Sequence, residues 1–281
     1  MIFILNHVFP FSFSFIKCKD DNISSSASLR QVTDSFYFTS MSRIFITGSS
    51  DGLGLLAARQ LIREGHQVWA HARNASRAMH TYQQLEGVQQ VLVGDLNQKE
   101  EIFKLVTSLN QLPTFDAVIH NAGIYQSTGS SLFHVNVVAP YLLTALMDRP
   151  LRLIYLSSGM HRGGQFRSLS EIESTSYSDT KWQLTCLVMH LSKRLLSTYV
   201  NAVDPGWVPT KMGGANAPDD LQKGYETQSW LATSQEALAL TTGGYFFHQQ
   251  LNAPKADVYD ADLQQNLVDN LHQFTAIQLP N

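Results

Sequence analysis

Arg43-Ile44-Phe45-Ile46-Thr47-Gly48-Ser49-Ser50-Asp51-Gly52-Leu53-Gly54 is the stretch on which the reading of this chain turns. A short run of β-branched and aromatic residues enters a glycine-rich turn, and residues 53–64 then show helical spacing closed by Gly65, so the order is strand, turn, helix. Glycines suit such a turn when backbone must touch a phosphate. A Cβ would block the approach, whereas the following helix offers free N–H groups and about half a positive charge. A plain glycine-rich connection has the same composition, so the turn takes its meaning from the pattern around it.

Outward from the turn the alternation recurs. Residues 66–71, 88–93, 115–120, 151–156 and 199–203 read as strands, and residues 75–86, 98–110, 132–147 and 178–196 as helices. A Pro/Gly/Lys-rich loop at 208–224, a helical stretch near 235–249, a short strand at 257–259 and a last helix near 261–274 complete the chain. Strands of Val, Ile and Leu with little polar alternation fit a parallel sheet covered on both faces. The expected fold class is α/β, a single Rossmann-type doubly wound parallel sheet flanked by helices, spanning residues 41–281.

Composition narrows the function. The 281 residues are 44% apolar and 15% charged, enough for a sizeable core and unlike a disordered or collagenous chain. Twenty Lys+Arg against 23 Asp+Glu give a charge of -3, which offers no electrostatic footprint for a nucleic acid. The two cysteines, Cys18 and Cys186, build neither a disulfide framework nor a zinc site, and no His/Asp/Glu cluster has ligand spacing, so no metal is expected. A reducing, cytoplasmic compartment follows as the expectation. Residues 1–16 are apolar but interrupted by Asn6, His7 and Pro10 and fall short of the ~20 residues of a membrane span. Lys17 and Lys19 follow that run instead of preceding it, against a secretory signal. Residues 1–40 therefore read as an extension outside the fold: an anchor, a cleaved leader or an upstream start.

Further motifs share one order. Asp95-Leu96 ends the third strand, Asn121-Ala122-Gly123 the fourth and Ser157-Ser158-Gly159 the fifth. Asn136 lies in the long helix at 132–147, Tyr177-Ser178-Asp179-Thr180-Lys181 supplies Tyr-x-x-x-Lys, and Pro205-Gly206-Trp207-Val208-Pro209-Thr210 follows the sixth strand. With the glycine spacing of Gly48, Gly52 and Gly54, this set resembles the short-chain dehydrogenase/reductase family from Met41 onward. Ser157-Ser158-Gly159-Met160-His161 looks like its retinol-dehydrogenase-like members. His120 departs from the family pattern, which places a second Asn before Asn121.

The resemblance implies a nicotinamide cofactor cradled by Gly48, Ser50, Asp51, Gly52, Leu53 and Gly54. It implies adenine contacts from Asp95 and Leu96, further contacts from Asn121, Ala122, Gly123, Pro205 and Gly206, and a carboxamide held by Val208 and Thr210. The family's acidic, NAD-selecting position is Ala72 here and Arg73 follows it, so a guanidinium is available for a 2′-phosphate. NADP(H) is the expected cofactor, with NAD(H) left open because Asp51 stands where many NADP-dependent relatives carry Arg or Lys.

Tyr177 and Lys181 lie four residues apart and share one helix face. A phenol with a pKa near ~10 shuttles protons poorly at neutral pH. A drop of ~2 to 3, roughly 3 to 4 kcal/mol, is what Lys181 and a cationic nicotinamide together would have to supply. By the resemblance, Tyr177 is the general acid/base, Lys181 also binds the nicotinamide ribose, Ser158 orients the substrate oxygen and Asn136 holds a water leading to Lys181. Residues 159–176 and 208–228 would border the substrate, and Met160, Phe166, Trp207, Met212 and Tyr225 within them suggest a partly apolar carbonyl or alcohol. The family analogy also suggests a homo-oligomer. The rival reading from another class is a non-catalytic nucleotide-binding scaffold or sensor, whose relatives would be expected to lose Tyr or Lys; an epimerase or dehydratase of the extended branch would want a larger C-terminal domain.

Overall fold

The computed structural model describes residues 41–280; the extension expected at 1–40, with Cys18, lies outside the described residues. From β1 (Arg43–Ile46) the chain passes through α1 (Gly52–Arg63), β2 (Gln67–Ala72), α2 (Ala75–Gln84), β3 (Gln90–Val93) and α3 (Lys99–Asn110) to β4 (Ala117–His120). It continues through α4 (Gly129–Phe133), a π-helical turn (His134–Val138) and α5 (Ala139–Leu146) to β5 (Arg152–Leu156), then through α6 (Tyr177–Arg194) to β6 (Tyr199–Asp204). α7 (Leu221–Thr233), β7 (Tyr245–Phe247), β8 (Gln250–Asn252) and α8 (Ala261–Thr275) follow.

These strands form one sheet of order β3-β2-β1-β4-β5-β6-β7-β8, parallel from β3 to β7 and antiparallel only at the β8 edge. Its two faces are both covered. Ile44 and Ile46 pack with Leu55 and Leu61 of α1 and Leu231 of α7, while Phe45 between them packs with Leu105 of α3, Tyr141 of α5 and Leu187 of α6. Successive strand residues point to opposite faces, so covering both removes any reason for polar alternation. The strand order reverses between β1 and β4, and the crevice at their carboxyl ends is where an open α/β sheet receives ligands.

The helix expected at 132–147 is a run from Gly129 to Leu146 widened by the π turn. Pro140 has no N–H for the Asn136 carbonyl four residues back and its ring crowds that carbonyl, which accounts for the wide turn. The run is long and apolar enough to cross a bilayer, yet 72% of it is buried in the protein, as suits a core helix.

The C-terminal third departs from expectation. The expected loop at 208–224 stops at Asp220, which caps α7 by accepting from the Lys223 N–H. Gly224 lies within α7, where its missing Cβ lets the helix pack close to Val208 and the Pro205 carbonyl. The helix expected near 235–249 is instead the β7–β8 hairpin, preceded by Gly243 and Gly244 and turned by His248 and Gln249 at φ 49° and 62°. Three aromatic or β-favouring residues, Tyr245 to Phe247, outweigh the helical spacing there, and a two-residue hairpin turn without glycine leaves no local signal. Residues 257–259, expected as a strand, form part of a 3-10 turn, with the Val258 N–H bonded back to the Lys255 carbonyl.

Candidate active site

The turn after β1 is built by close backbone approach. A Cβ on Gly48 (φ +65°) would lie 2.8 Å from the Ala122 Cα, and one on Gly54 would overlap the Asn121 amide nitrogen. Asn121 donates to the Thr47 carbonyl at 2.9 Å and the Gly48 carbonyl at 3.3 Å, clipping the turn to the end of β4. Gly52 (φ +54°) faces open space where its Cβ would stand, and Asp51 caps α1 by accepting from the Gly52 N–H at 2.9 Å. Glycine backbone at a helix N-terminus, with a cradle that side chains would fill, fits a pyrophosphate.

The turn is also tied to its neighbours. His71, at the end of β2, accepts from the Gly48 N–H through Nδ1 at 3.0 Å, and its Nε2 meets the Gly94 carbonyl at 2.8 Å. Burial lowers this imidazole to about 4, so it is neutral at pH 7 with its proton on Nε2. Asp51 gathers cations: Lys211 Nζ stands 2.6 Å and an Arg77 nitrogen 3.4 Å from Oδ2, and Arg77 Nε donates to Ser50 Oγ at 3.2 Å. Burial works against the Asp51 carboxylate, yet Lys211, the Gly52 N–H and Arg77 hold it below the usual carboxylate range.

A cleft of about 470 Å³ opens from this turn. Its floor holds Gly48, Ser50, Asp51, Gly52 and Leu53, one end holds Arg73, Arg77, Asp95 and Leu96, and Asn121, Ala122 and Gly123 line the side beneath β4. Tyr177, Lys181, Pro205 and Thr210 line it as well. Of the expected site residues, Gly54, Asn136, Ser158, Gly206 and Val208 do not line the cleft. Gly54 packs under the turn, Val208 is buried against α7, and Gly206 (φ +79°) crowds Asp219.

Tyr177 opens α6, with Ser176 as its N-cap and Asp179 completing a capping box. That cap fixes which helix face looks into the cleft. Lys181, one turn on, is buried; its Nζ donates to the Leu156 carbonyl at 2.6 Å and lies 5.5 Å from the Tyr177 ring centre. The Ser158 side chain acts on the Tyr177 phenol, favouring its ionised form, and accepts from the Met160 N–H at 3.2 Å. Asn136 accepts from the Ile124 N–H at 2.9 Å and donates to the Ile124 carbonyl and to Thr180 Oγ1, both at 3.0 Å, so its side chain joins the loop after β4 to α6. Gly123 sits where a Cβ would touch both Asn136 Oδ1 and Lys181 Nζ at 3.4 Å.

Burial dominates the proton energetics of this pair. Burial pushes the Tyr177 phenol up to about 12, helped by the charge of Asp204 and opposed by Ser158, and burial lowers the Lys181 amine to about 8 against the pull of Asp204. Desolvation sets the direction for both groups here, whereas the lowering expected of the phenol is one that Lys181 and a cationic nicotinamide would supply together. Sequence reading also passed over His71, Arg77, Lys211 and Tyr125, whose ring meets Tyr177 edge-on at 4.9 Å. Arg77 lies in the first turn of α2, four residues after Arg73, and that closeness in sequence was the available signal. His71 and Lys211 gave none, because their partners are distant in sequence.

Residues 42–221 match the family model for short chain dehydrogenases. The chain belongs to the short-chain dehydrogenase/reductase family. This dehydrogenase/reductase is 39% identical to the short-chain dehydrogenase chry4 of Gibberella zeae, over 86% of this chain and 100% of that protein. Human retinol dehydrogenase 14 is 28% identical over 60% of this chain and 62% of its own length, which accords with the retinol-dehydrogenase look of Ser157 to His161. Among solved structures, a blue fluorescent protein from a metagenomic library in complex with NADPH aligns with a TM-score of 0.63 at 21% identity, covering 73% of this chain and 95% of that one. As a family member the protein is an NAD(P)-binding oxidoreductase acting on CH–OH or carbonyl groups.

Proposed function

We propose that this dehydrogenase/reductase is NADP(H)-dependent, that residues 41–281 form its dinucleotide-binding domain, and that it interconverts a partly apolar carbonyl compound and its alcohol. The observation that carries the reading is the meeting of Tyr177 and Lys181 with the glycine turn in one cleft. When bound, the nicotinamide supplies or accepts the hydride. Tyr177 gives a proton to the carbonyl oxygen in reduction and takes one from the alcohol in oxidation, and Ser158 orients that oxygen. Lys181 binds the ribose hydroxyls. Asn136 acts by fixing the loop after β4 against α6, in addition to the water-holding role that the family resemblance implies. Tyr125, whose ring meets Tyr177, and Met212, which lines the cleft with it, are large exposed apolar side chains, which supports an apolar portion in the substrate.

The preference for NADP(H) rests on Arg73 and Arg77 at the cleft end that would take the adenosine ribose. Asp51, which alone would repel a 2′-phosphate, is already paired with Arg77 and Lys211. The NADPH complex of the metagenomic relative points the same way. Removing charge-assisted bonds costs about 1.5 to 3 kcal/mol each, so Arg73→Ala with Arg77→Ala is expected to weaken NADPH binding by about 100-fold or more. NADH, which lacks the 2′-phosphate, should change little; fluorescence titration of both cofactors reads the difference. Equal losses for the two cofactors, or tighter NADH binding by the wild type, would remove this assignment.

A chain starting at Met41 is expected to bind NADPH as tightly as the full chain, measured by the same titration. Loss of folding on that truncation would move the domain boundary. The enzyme is tested by screening aromatic and aliphatic ketones with NADPH, where binding without any turnover would favour the scaffold reading.

A further inference from the structure

Three segments of the cleft wall meet at one buried imidazole. His71, next to last in β2, is 3% exposed; it pairs in register with Leu92 of β3, and Phe45 of β1 stands edge-on to its ring at 6.4 Å. Its backbone N–H donates to Ser49 Oγ at 2.8 Å, and that hydroxyl donates on to the Ile46 carbonyl at 2.9 Å. The ring itself spans from the Gly48 N–H, 3.0 Å from Nδ1, to the Gly94 carbonyl, 2.8 Å from Nε2. Gly48 opens the glycine turn, and Gly94 immediately precedes Asp95 and Leu96. His71 lines the cleft with all three, so a single side chain joins the turn to the far end of the wall.

Donor and acceptor chemistry fixes the form of that ring. An amide N–H only donates and a carbonyl only accepts, so Nδ1 is bare and Nε2 carries the proton. The β1 ladder ends one residue before Gly48, where the Thr47 N–H meets the Ile119 carbonyl, and the imidazole takes over from there. Left without a partner, such a donor costs more than the bond returns. Gly48 has little freedom to seek another, since it is held at φ +65° against Ala122. Asp95 is the charged group that acts on the ring, while Phe45, Ser49, Leu92 and Gly94 bring no charge. Burial outweighs the pull of the Gly94 carbonyl and of Asp95, so the bridge is intact across the neutral range.

We propose that His71 is a positioning residue for the nucleotide: its neutral imidazole, bridging Gly48 and Gly94, holds the glycine turn and the end of β3 in the arrangement that takes the pyrophosphate and the adenine together. Affinity then comes from a cradle set before the ligand arrives. The role rests on the nucleotide-binding reading above, but the bridge can be measured without nucleotide. It is distinct from the role of Arg73, whose strand is placed by its ladder with β1 and β3 whatever the ring does.

The experiment compares His71→Asn with His71→Leu in the full chain. The first keeps an amide oxygen near the place of Nδ1 as an acceptor for Gly48, and the second fills similar space with no polar atom. NADPH and NADH are titrated by fluorescence at a temperature where circular dichroism shows each protein folded, and exchange of the Gly48 amide is followed by NMR without nucleotide. His71→Leu is expected to bind both nucleotides about tenfold or more weakly, the cost of one orphaned donor, and to quicken Gly48 exchange about as much. The two losses should agree within about threefold, because both nucleotides carry the same pyrophosphate and adenine, whereas the Arg73 and Arg77 change separates them. His71→Asn should stay within about threefold of wild type in every reading. A purely structural role would lower the urea midpoint of His71→Leu and leave the affinity of its folded form unchanged, and that result overturns the proposal, as does a His71→Asn protein as weak as His71→Leu. If His71→Leu does not fold, 15N-labelled wild type decides: the coupling between Gly48 N and His71 Nδ1 across their hydrogen bond should be present and should persist with NADPH bound, and its absence in either state overturns the proposal. A wild type that binds neither nucleotide would remove the cofactor reading, and Gly48 exchange in the two variants would then decide the bridge.

Discussion

Replacing Tyr177 by Phe is expected to lower turnover by about 10²- to 10⁴-fold, the usual worth of a positioned acid or base. NADPH binding should be unchanged, because the turn, Arg73 and Arg77 hold the other end of the cleft. Stability should fall by only about 1 kcal/mol, the net worth of one hydrogen bond. The pH dependence sharpens the test. With the phenol pushed up to about 12, the acid form needed for carbonyl reduction is present throughout the neutral range. Alcohol oxidation needs the base form, about one molecule in 10⁵ at pH 7, so its rate should climb nearly tenfold per pH unit from 6. The climb should bend near 8, where Lys181 loses its proton and with it the charge that favours phenolate. Stopped-flow measurement of single turnovers in both directions separates these steps from product release. A Tyr177→Phe protein that keeps more than a tenth of wild-type turnover would sink the acid/base role.

Local pattern carried the fold from β1 to β6 and again at α8, and failed in the hairpin and the turn between them. β1 to β6 announce themselves because a strand covered on both faces must be apolar throughout, as Ile44, Phe45 and Ile46 are. The hairpin of β7 and β8 depends on pairing with β6, a contact that no local spacing encodes, and it turns through His248 and Gln249 where glycine or asparagine is the usual sign. The residues expected to form the site were legible as motifs because all but Asn136, which lies inside a helical run, sit after the carboxyl end of a strand or near the start of a helix. What surrounds them was not. His71 reaches Gly48, Lys211 reaches Asp51, and Asp204 meets Tyr245, all across separations of more than twenty residues. The direction of the Tyr177 shift was also out of reach, since desolvation depends on how deeply α6 is buried and the sequence states only that Tyr177 and Lys181 share a face.

Gly52→Ala and Gly54→Ala, two residues apart in one turn, should behave very differently. At Gly52 the added methyl meets nothing within contact range, and the cost is that of an L residue at φ +54°, about 1 kcal/mol. Gly54 has an ordinary helical backbone, but its methyl would overlap the Asn121 amide and stand 2.8 Å from the Gly48 carbonyl, both backbone or backbone-bonded atoms with little room to give. Asn121 must then release Thr47 and Gly48, leaving polar groups at the end of β4 without partners and freeing the turn that Gly48, Ala122 and His71 hold in place. Overpacking of this kind costs about 1 to 3 kcal/mol, and an orphaned polar group about as much again. Gly54→Ala is therefore expected to unfold several kcal/mol earlier in urea than wild type and to bind NADPH at least about 100-fold more weakly, on the scale of 1.4 kcal/mol per tenfold. Adding Asn121→Ala to Gly54→Ala should recover part of the lost stability by removing the overlap, since contacting residues are not additive. If Gly54→Ala proves as mild as Gly52→Ala, close packing under the turn is not what shapes the cradle.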